Sequence, residues 1–193
     1  MSRIVSIVSK VEGDISILDA LSTEFYSSRT IYLTGEINSA MAEEIIAQVR
    51  ILARRSKEPI TMIINSPGGE VTAGLAIIDV MQGCGCEMHT TVAGMAASMA
   101  SFILAAGTKG CRGASAHSEV MIHQPLGGTS GQASDIAIAS KHIIKTRGIL
   151  ARMLADFTGK SEKTILTDME RDKWLDAKQS VRYGITDFVV EEI

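Results

Sequence analysis

The chain has 193 residues, of which 46% are hydrophobic and 21% charged, with a formal net charge of −3. That balance excludes a disordered or fibrous chain and leaves a globular protein long enough to bury a large core. No run of Lys or Arg is longer than Arg54-Arg55, so charge gives no reason to expect nucleic acid or an anionic membrane as partner, and small molecules or peptides are the better candidates.

No strand or helix is assigned to the first 28 residues. No apolar block of signal-peptide length precedes Lys10 and Glu12, so secretion is not expected. No repeat or Pro/Gly/Ser-rich linker divides the remainder, which is expected to form one unit. "RTIYLTG" at 29–35 has the β-branched and aromatic content of a strand. "NSAMAEEIIAQVRILARRS" then reads as an amphipathic helix, with Asn38 or Ser39 as cap, Glu43 and Glu44 early, and Arg54 and Arg55 late, as the helix dipole favours. "PITMIINS" at 59–66 is an apolar run of strand length, as in a parallel strand buried on both faces. "PGG" stops it, and "EVTAGLAIIDVMQG" is the next helix.

A third strand is expected at about 87–93, then a helix containing "SMASFILAAG", then a fourth strand over "SEVMIH" at 118–123. No Asp, Glu, Lys or Arg lies between Glu87 and Lys109, a length that meets the threshold for a membrane span. Its wealth of Gly, Ala, Ser and Thr fits close packing of a core strand and helix better. Alternating strands and helices predict an α/β fold with parallel pairing. Residues 132–157 form a long helical pattern, interrupted only by Gly148 and too long to bury all its faces. It is expected to project toward a partner subunit.

Ser98 stands between an expected strand and helix, flanked by Ala96, Ala97, Met99 and Ala100. The arrangement resembles a nucleophile elbow, with alanines where glycines are usual. A serine nucleophile needs a base and a carboxylate to orient it. Of the four histidines, His89 sits in an expected strand, His117 in a polar turn and His142 on the long helix. His123 ends a strand, where open α/β folds place their sites. "NSPGGEV" at 65–71 lacks the lysine and hydroxyl of a phosphate loop, so Gly68 and Gly69 suit an oxyanion hole better than a nucleotide. Among the acids of "DMERDKWLD" at 168–176, spacing cannot choose. The three cysteines, Cys84, Cys86 and Cys111, lack the second pair or histidine cluster of a zinc site. They are expected to be free thiols in a reducing cytosol, and no metal is expected.

The stretches "INSPGGEVTAG" at 64–74, "GMAASMAS" at 94–101, "VMIHQPLGG" at 120–128, "GQASDI" at 131–136 and "RDKWLDAKQSVRYGITD" at 171–187 together resemble the proteolytic subunits of the Clp protease, the ClpP-type serine peptidases. The likeness runs from about Thr30 to Asp187. It implies an α/β ClpP/crotonase-like spiral of β-β-α units with a projecting handle helix at about 132–157, in a single peptidase domain over 29–193 that follows an N-terminal axial segment over 1–28. It implies Ser98 as nucleophile, His123 as base and Asp172 as the orienting carboxylate. The NH groups of Gly69 and Met99 would form the oxyanion hole. Gly68, Val71, Leu126 and Gly127 would line an extended peptide, and Glu170 and Arg171 would link ring contact to triad alignment.

The resemblance further implies two stacked seven-membered rings, closed around peptide and unfolded-protein substrates in the cytoplasm. No organic cofactor is implied, because ATP would be hydrolysed by a partner Clp/Hsp100 ATPase. That partner docks into pockets lined by aromatic residues, and the matching places here are Thr61, Ile63 and Gly83. Docking in the usual way is therefore not expected, and a mixed ring with a second ClpP-type subunit is an alternative to a homo-oligomer. A structural subunit dependent on that partner and a crotonase-type acyl-CoA enzyme are the other readings.

Overall fold

The computed structural model describes residues 6–11 and 14–191, so the expected axial segment lies partly outside the described residues. Strands β1 (Ser6–Val11) and β2 (Asp14–Asp19) pair antiparallel, and helix α1 (Ala20–Ser27) follows. The sequence assigned no element to this region.

From Thr30 the expected alternation is present. Strand β3 (Thr30–Thr34) leads to helix α2 (Ser39–Arg55), strand β4 (Ile60–Ser66) to helix α3 (Val71–Gly83), and strand β5 (Met88–Ala97) to helix α4 (Met99–Ala105). Asn38 caps α2, its Oδ1 accepting from the Met41 NH at 2.9 Å. Helix α2 buries Ala42, Ile45, Val49 and Leu52, one stripe at spacings of three and four. Burying each larger member of that stripe contributes about 1.5–3 kcal/mol. The uncharged stretch is β5 followed by α4, and no described helix is long and apolar enough to cross a membrane.

Strands β6 (Arg112–Ser115) and β7 (Glu119–Ile122) precede the long helix α5 (Ala133–Thr158). Helix α6 (Glu162–Asp168), strand β8 (Lys173–Asp176), helix α7 (Ala177–Tyr183) and strand β9 (Phe188–Val190) are the last elements among the described residues. Among the described residues one seven-stranded sheet runs β3-β4-β5-β6-β9, with β7 branching from β5 and carrying β8. All its pairings are parallel except β7 with β8.

The branch begins inside β5. Thr90–Val92 pair with β6, whereas Met95–Ala97 pair with β7. Between the two, the register with β4 slips after Ile64. Gly94 turns there at φ +97°, so close to Asn65 that a Cβ would lie 2.8 Å from its Oδ1. Strand β5 thus continues four residues beyond its expected end at 93 and delivers Ser98 to the sheet edge.

Helix α5 is unbroken at Gly148, and its 26 residues extend about 39 Å. Its buried residues, Leu150, Ala151, Leu154 and Ala155, all lie in the C-terminal half. The N-terminal half stands away from the core, as its excess length led one to expect.

Candidate active site

Ser98 links β5 to α4 with φ 52° and ψ −127°. Such a conformation costs a residue with a side chain about 1–3 kcal/mol. The room it needs comes from across the site. A Cβ on Gly68 would lie 2.7 Å from Ser98 Cβ and 2.9 Å from the Met99 nitrogen. The glycine that an elbow needs is therefore supplied by the neighbouring turn, which explains why alanines suffice beside Ser98. Its NH donates to the Met121 carbonyl at 2.9 Å, tying the elbow to β7.

His123 follows β7 directly. Its Nε2 is 2.7 Å from Ser98 Oγ, and its Nδ1 is 3.4 Å from Asp172 Oδ1. The histidine side chain is 14% exposed and the aspartate 62%. Antiparallel register puts the carboxylate there: Ile122 pairs with Lys173, so the next opposed residues are His123 and Asp172. The Gln124 NH donates to the Met169 carbonyl at 2.7 Å and closes the turn that bears Asp172.

The structure also separates the four acids that spacing left equivalent. Asp168 accepts from the Lys173 ammonium and, at 2.8 Å, from the Tyr183 hydroxyl. Burial alone would raise its carboxyl, but those two hydrogen bonds and the nearby lysine charges hold it below the usual carboxylate range. Burial and the same carboxylate push the Tyr183 phenol far above its ordinary value. Glu170 pairs with Arg147 of α5, and Asp176 caps α7 in a capping box. Asp172 is the one that faces His123. The stretch is thus a helix end, a turn and a strand, and not only an exposed charged helix end.

Beside Ser98, the turn after β4 forms an isolated parallel bridge with Ile37. The Ile37 NH donates to the Gly68 carbonyl and the Glu70 NH to the Ile37 carbonyl, each at 2.8 Å, so this ladder passes over the Gly69 NH. At φ +152°, a side chain on Gly69 would strike Ile37. Met99 is the first residue of α4, and its NH has no carbonyl within the helix to bond. A strained serine held by an imidazole, with two backbone donors on neighbouring turns, suits acyl transfer.

Of the remaining expected residues, Gly68 is buried and Val71 half-buried at the start of α3. Leu126 is 82% exposed and, like Gly127, lies on the irregular segment between β7 and α5. Arg171 is exposed and forms no ion pair among the described residues. His117 and His142 are exposed, and neither forms a side-chain hydrogen bond or ion pair with Ser98 among the described residues, while His89 lies at the other end of β5.

Thr61 and Ile63 are half-buried on β4. Tyr32, 40% exposed, pairs in register with Ile63 and helps Phe25 and Tyr26 line a surface hollow. Aromatic side chains therefore stand next to the expected docking positions, contributed by α1 and β3. Periodicity could not show this, because the neighbours belong to separate elements.

The Clp protease family profile matches residues 13–193. The chain belongs to the Clp protease family. It is a serine-type endopeptidase of the ClpP/crotonase-like fold. A relative from Ligilactobacillus salivarius (strain UCC118), named ATP-dependent Clp protease proteolytic subunit, is 51% identical over 164 residues, covering 84% of this chain and 83% of that protein. ATP-dependent Clp protease proteolytic subunit 1 of Mycobacterium bovis (strain ATCC BAA-935 / AF2122/97) is 39% identical over 191 residues, 98% of this chain and 95% of its own. Subunit 2 of Mycolicibacterium paratuberculosis (strain ATCC BAA-968 / K-10) is 41% identical over 179 residues, 91% and 89% of the two chains. Membership of the Clp protease family brings ring assembly and a Clp ATPase partner in general terms, and disfavours both the silent-subunit and acyl-CoA readings.

Proposed function

We propose that this subunit hydrolyses peptide bonds of unfolded proteins through an acyl-enzyme on Ser98. His123 Nε2 takes the Ser98 proton as Oγ attacks the peptide carbonyl, and Asp172 orients the ring and offsets the imidazolium charge. The NH groups of Gly69 and Met99 stabilise the tetrahedral oxyanion. His123 returns the proton to the leaving amine, then activates water to release the acyl group and restore the serine. The carrying observation is the 2.7 Å contact between Ser98 Oγ and His123 Nε2 at a strained strand-to-helix turn.

Val71, Leu126 and Gly127 present backbone and apolar surface to an extended substrate, in the manner of strand addition. The expected contact from Gly68 is replaced by a supporting role, since that residue is buried with its NH donating to Ser66 Oγ and its carbonyl accepting from the Ile37 NH. Two seven-membered rings, stacked through the α5 handles, make a tetradecamer that encloses the sites in the cytosol. This arrangement is supported by the exposed N-terminal half of α5. Glu170 and Arg171 connect ring contact to triad alignment, Glu170 through its pair with Arg147. No cofactor takes part in bond cleavage. ATP is used by a Clp/Hsp100 ATPase whose docking differs from the usual pattern at Thr61, Ile63 and Gly83.

The test is intact mass after treatment with a fluorophosphonate probe, run beside Ser98→Ala. The expected result is one adduct on the parent and none on the variant. A parent that stays unlabelled, or a variant that labels equally, overturns Ser98 as a self-competent nucleophile.

A further inference from the structure

A second set of reactive side chains lies at the opposite end of β5. Glu87, His89 and Cys111 each present a ligand atom, and the three atoms lie within 4.8 Å of one another. Ser98 lies nine positions along the chain from His89, up to about 30 Å of extended strand, so this cluster is remote from peptide hydrolysis.

Register explains the cluster. Glu87 and His89 are two residues apart and therefore face the same side of the sheet. Thr90 pairs with Arg112 across the β5–β6 ladder, which sets His89 beside Cys111. The Thr90 NH donates to the Cys111 carbonyl at 3.1 Å, and the Cys111 NH donates to the Thr108 carbonyl at 2.9 Å. Thr108 is bonded to Met88 in both directions, through its NH at 2.8 Å and its hydroxyl at 2.9 Å. The thiol is thus held by a turn tied to the strand that carries the other two groups. Sequence spacing concealed this, because the cysteine lies far along the chain from the histidine.

We propose that Glu87, His89 and Cys111 form a mononuclear transition-metal site, matched best to Zn²⁺, with solvent completing a tetrahedron. One carboxylate, one imidazole and one thiolate are all zinc ligands, and sulfur disfavours Mg²⁺ and Ca²⁺. Ordinary zinc bond lengths separate neighbouring donors of a tetrahedron by about 3.3–3.6 Å. His89 Nε2 and Glu87 Oε2 already stand 3.5 Å apart. The remaining edges, within 4.8 Å, need to close by no more than about 1.5 Å to reach that geometry. His89 and Cys111 are half-buried and Glu87 is exposed, which leaves an open side for the metal and its water. Asp187 is not a ligand, since Arg112 and the NH groups of Gly110 and Arg112 occupy its oxygens. The expectation of no metal is revised accordingly: the fold assembles ligands that neither a cysteine pair nor a local histidine motif announced. The metal pins the start of β5 to the turn before β6 and takes no part in bond cleavage.

The test uses the full assembled chain, stripped with chelator and titrated with Zn²⁺ against a chromophoric competitor. One Zn²⁺ per chain is expected, with a rise in the thermal midpoint. Co²⁺ in its place should show a thiolate-to-cobalt band in the near ultraviolet. Cys111→Ser should abolish that band, and both Cys111→Ser and His89→Ala should weaken Zn²⁺ at least about tenfold. The double variant Cys84→Ser with Cys86→Ser should keep both signals. Circular dichroism of each stripped variant checks that it folds, and Glu87→Gln provides a further ligand variant if one does not. Failure of the parent to bind Zn²⁺ stoichiometrically overturns the proposal, as does binding that survives loss of Cys111 but not loss of Cys84 and Cys86. Either result leaves the fluorophosphonate test of Ser98 untouched.

Discussion

At the scale of single residues, the site depends on contacts that cannot relax. Gly68 has φ +92°, and the atoms nearest an added Cβ are Ala97 O at 2.6 Å, Ser98 Cβ and Met99 N. All are backbone or Cβ atoms, so none can swing aside as a long side chain would. Gly68→Ala should therefore displace the elbow and lower kcat/KM for a model peptide at least about a hundredfold, while size-exclusion chromatography shows the assembly unchanged. Arg112 and Asp187 form a second unforgiving contact, with the arginine side chain 3% exposed and the aspartate 19%. Burial alone would raise the Asp187 carboxyl, but the Arg112 hydrogen bonds and charge, with the Gly110 NH, hold it below the usual range. A depressed folded pKa contributes stability above the unfolded carboxylate value of about 4, and that contribution is lost as pH falls through the folded value. Asp187→Asn should cost about 3–5 kcal/mol near neutrality. In urea titrations the difference from the parent should shrink as pH is lowered below about 4, and a difference constant with pH would assign the loss to packing instead.

At the scale of elements, legibility followed length and period. Helix α2 and strand β4 were readable because one shows a clean 3.6-residue stripe and the other a long apolar run ending at "PGG". Strands β6 and β8, "RGAS" and "KWLD", have four residues each and no apolar alternation, so nothing local marks them. Their partners make them strands. The β7–β8 pairing matters most, since it is the antiparallel exception to a parallel expectation and it brings Asp172 opposite His123. Helix α5 was legible as a helix too long to bury all its faces, and its exposed Ile138, at 67%, and Ile144, at 67%, stand on the part that the core does not cover. If the rings stack through α5 as proposed, Ile138→Glu should weaken the contact between them, seen in native mass spectrometry as a shift from double toward single rings. The subunit's own stability should change by no more than about 0.5 kcal/mol. A double ring unaffected by that charge would place the ring contact elsewhere.

At the scale of the whole molecule, the sheet separates two ends with different chemistry. The carboxyl end of β5 holds Ser98 beside β7, and its amino end holds His89 beside the turn before β6. Thr61, Ile63 and Tyr32 lie on the neighbouring strands β3 and β4, at the positions where ATPase docking is proposed. A homologous Clp ATPase should bind the lone homo-oligomer weakly in a pull-down or anisotropy assay, and more tightly when a second ClpP-type subunit is present. Tight docking by the homo-oligomer alone would mean that Phe25, Tyr26 and Tyr32 replace the missing aromatics. The sequence by itself determined the alternation of strands and helices, the long projecting helix, the serine elbow, and the choice of His123 among four histidines. Each of those is written in nearest neighbours or in a short period. Residue spacing left four acids open and the family resemblance pointed to Asp172, but only the tertiary structure shows how that acid comes to face His123, why alanines can flank Ser98, and that Cys111 lies beside His89 and Glu87. Those outcomes depend on the register between strands and on the approach of separate turns, and such long-range geometry leaves no periodic trace along the chain.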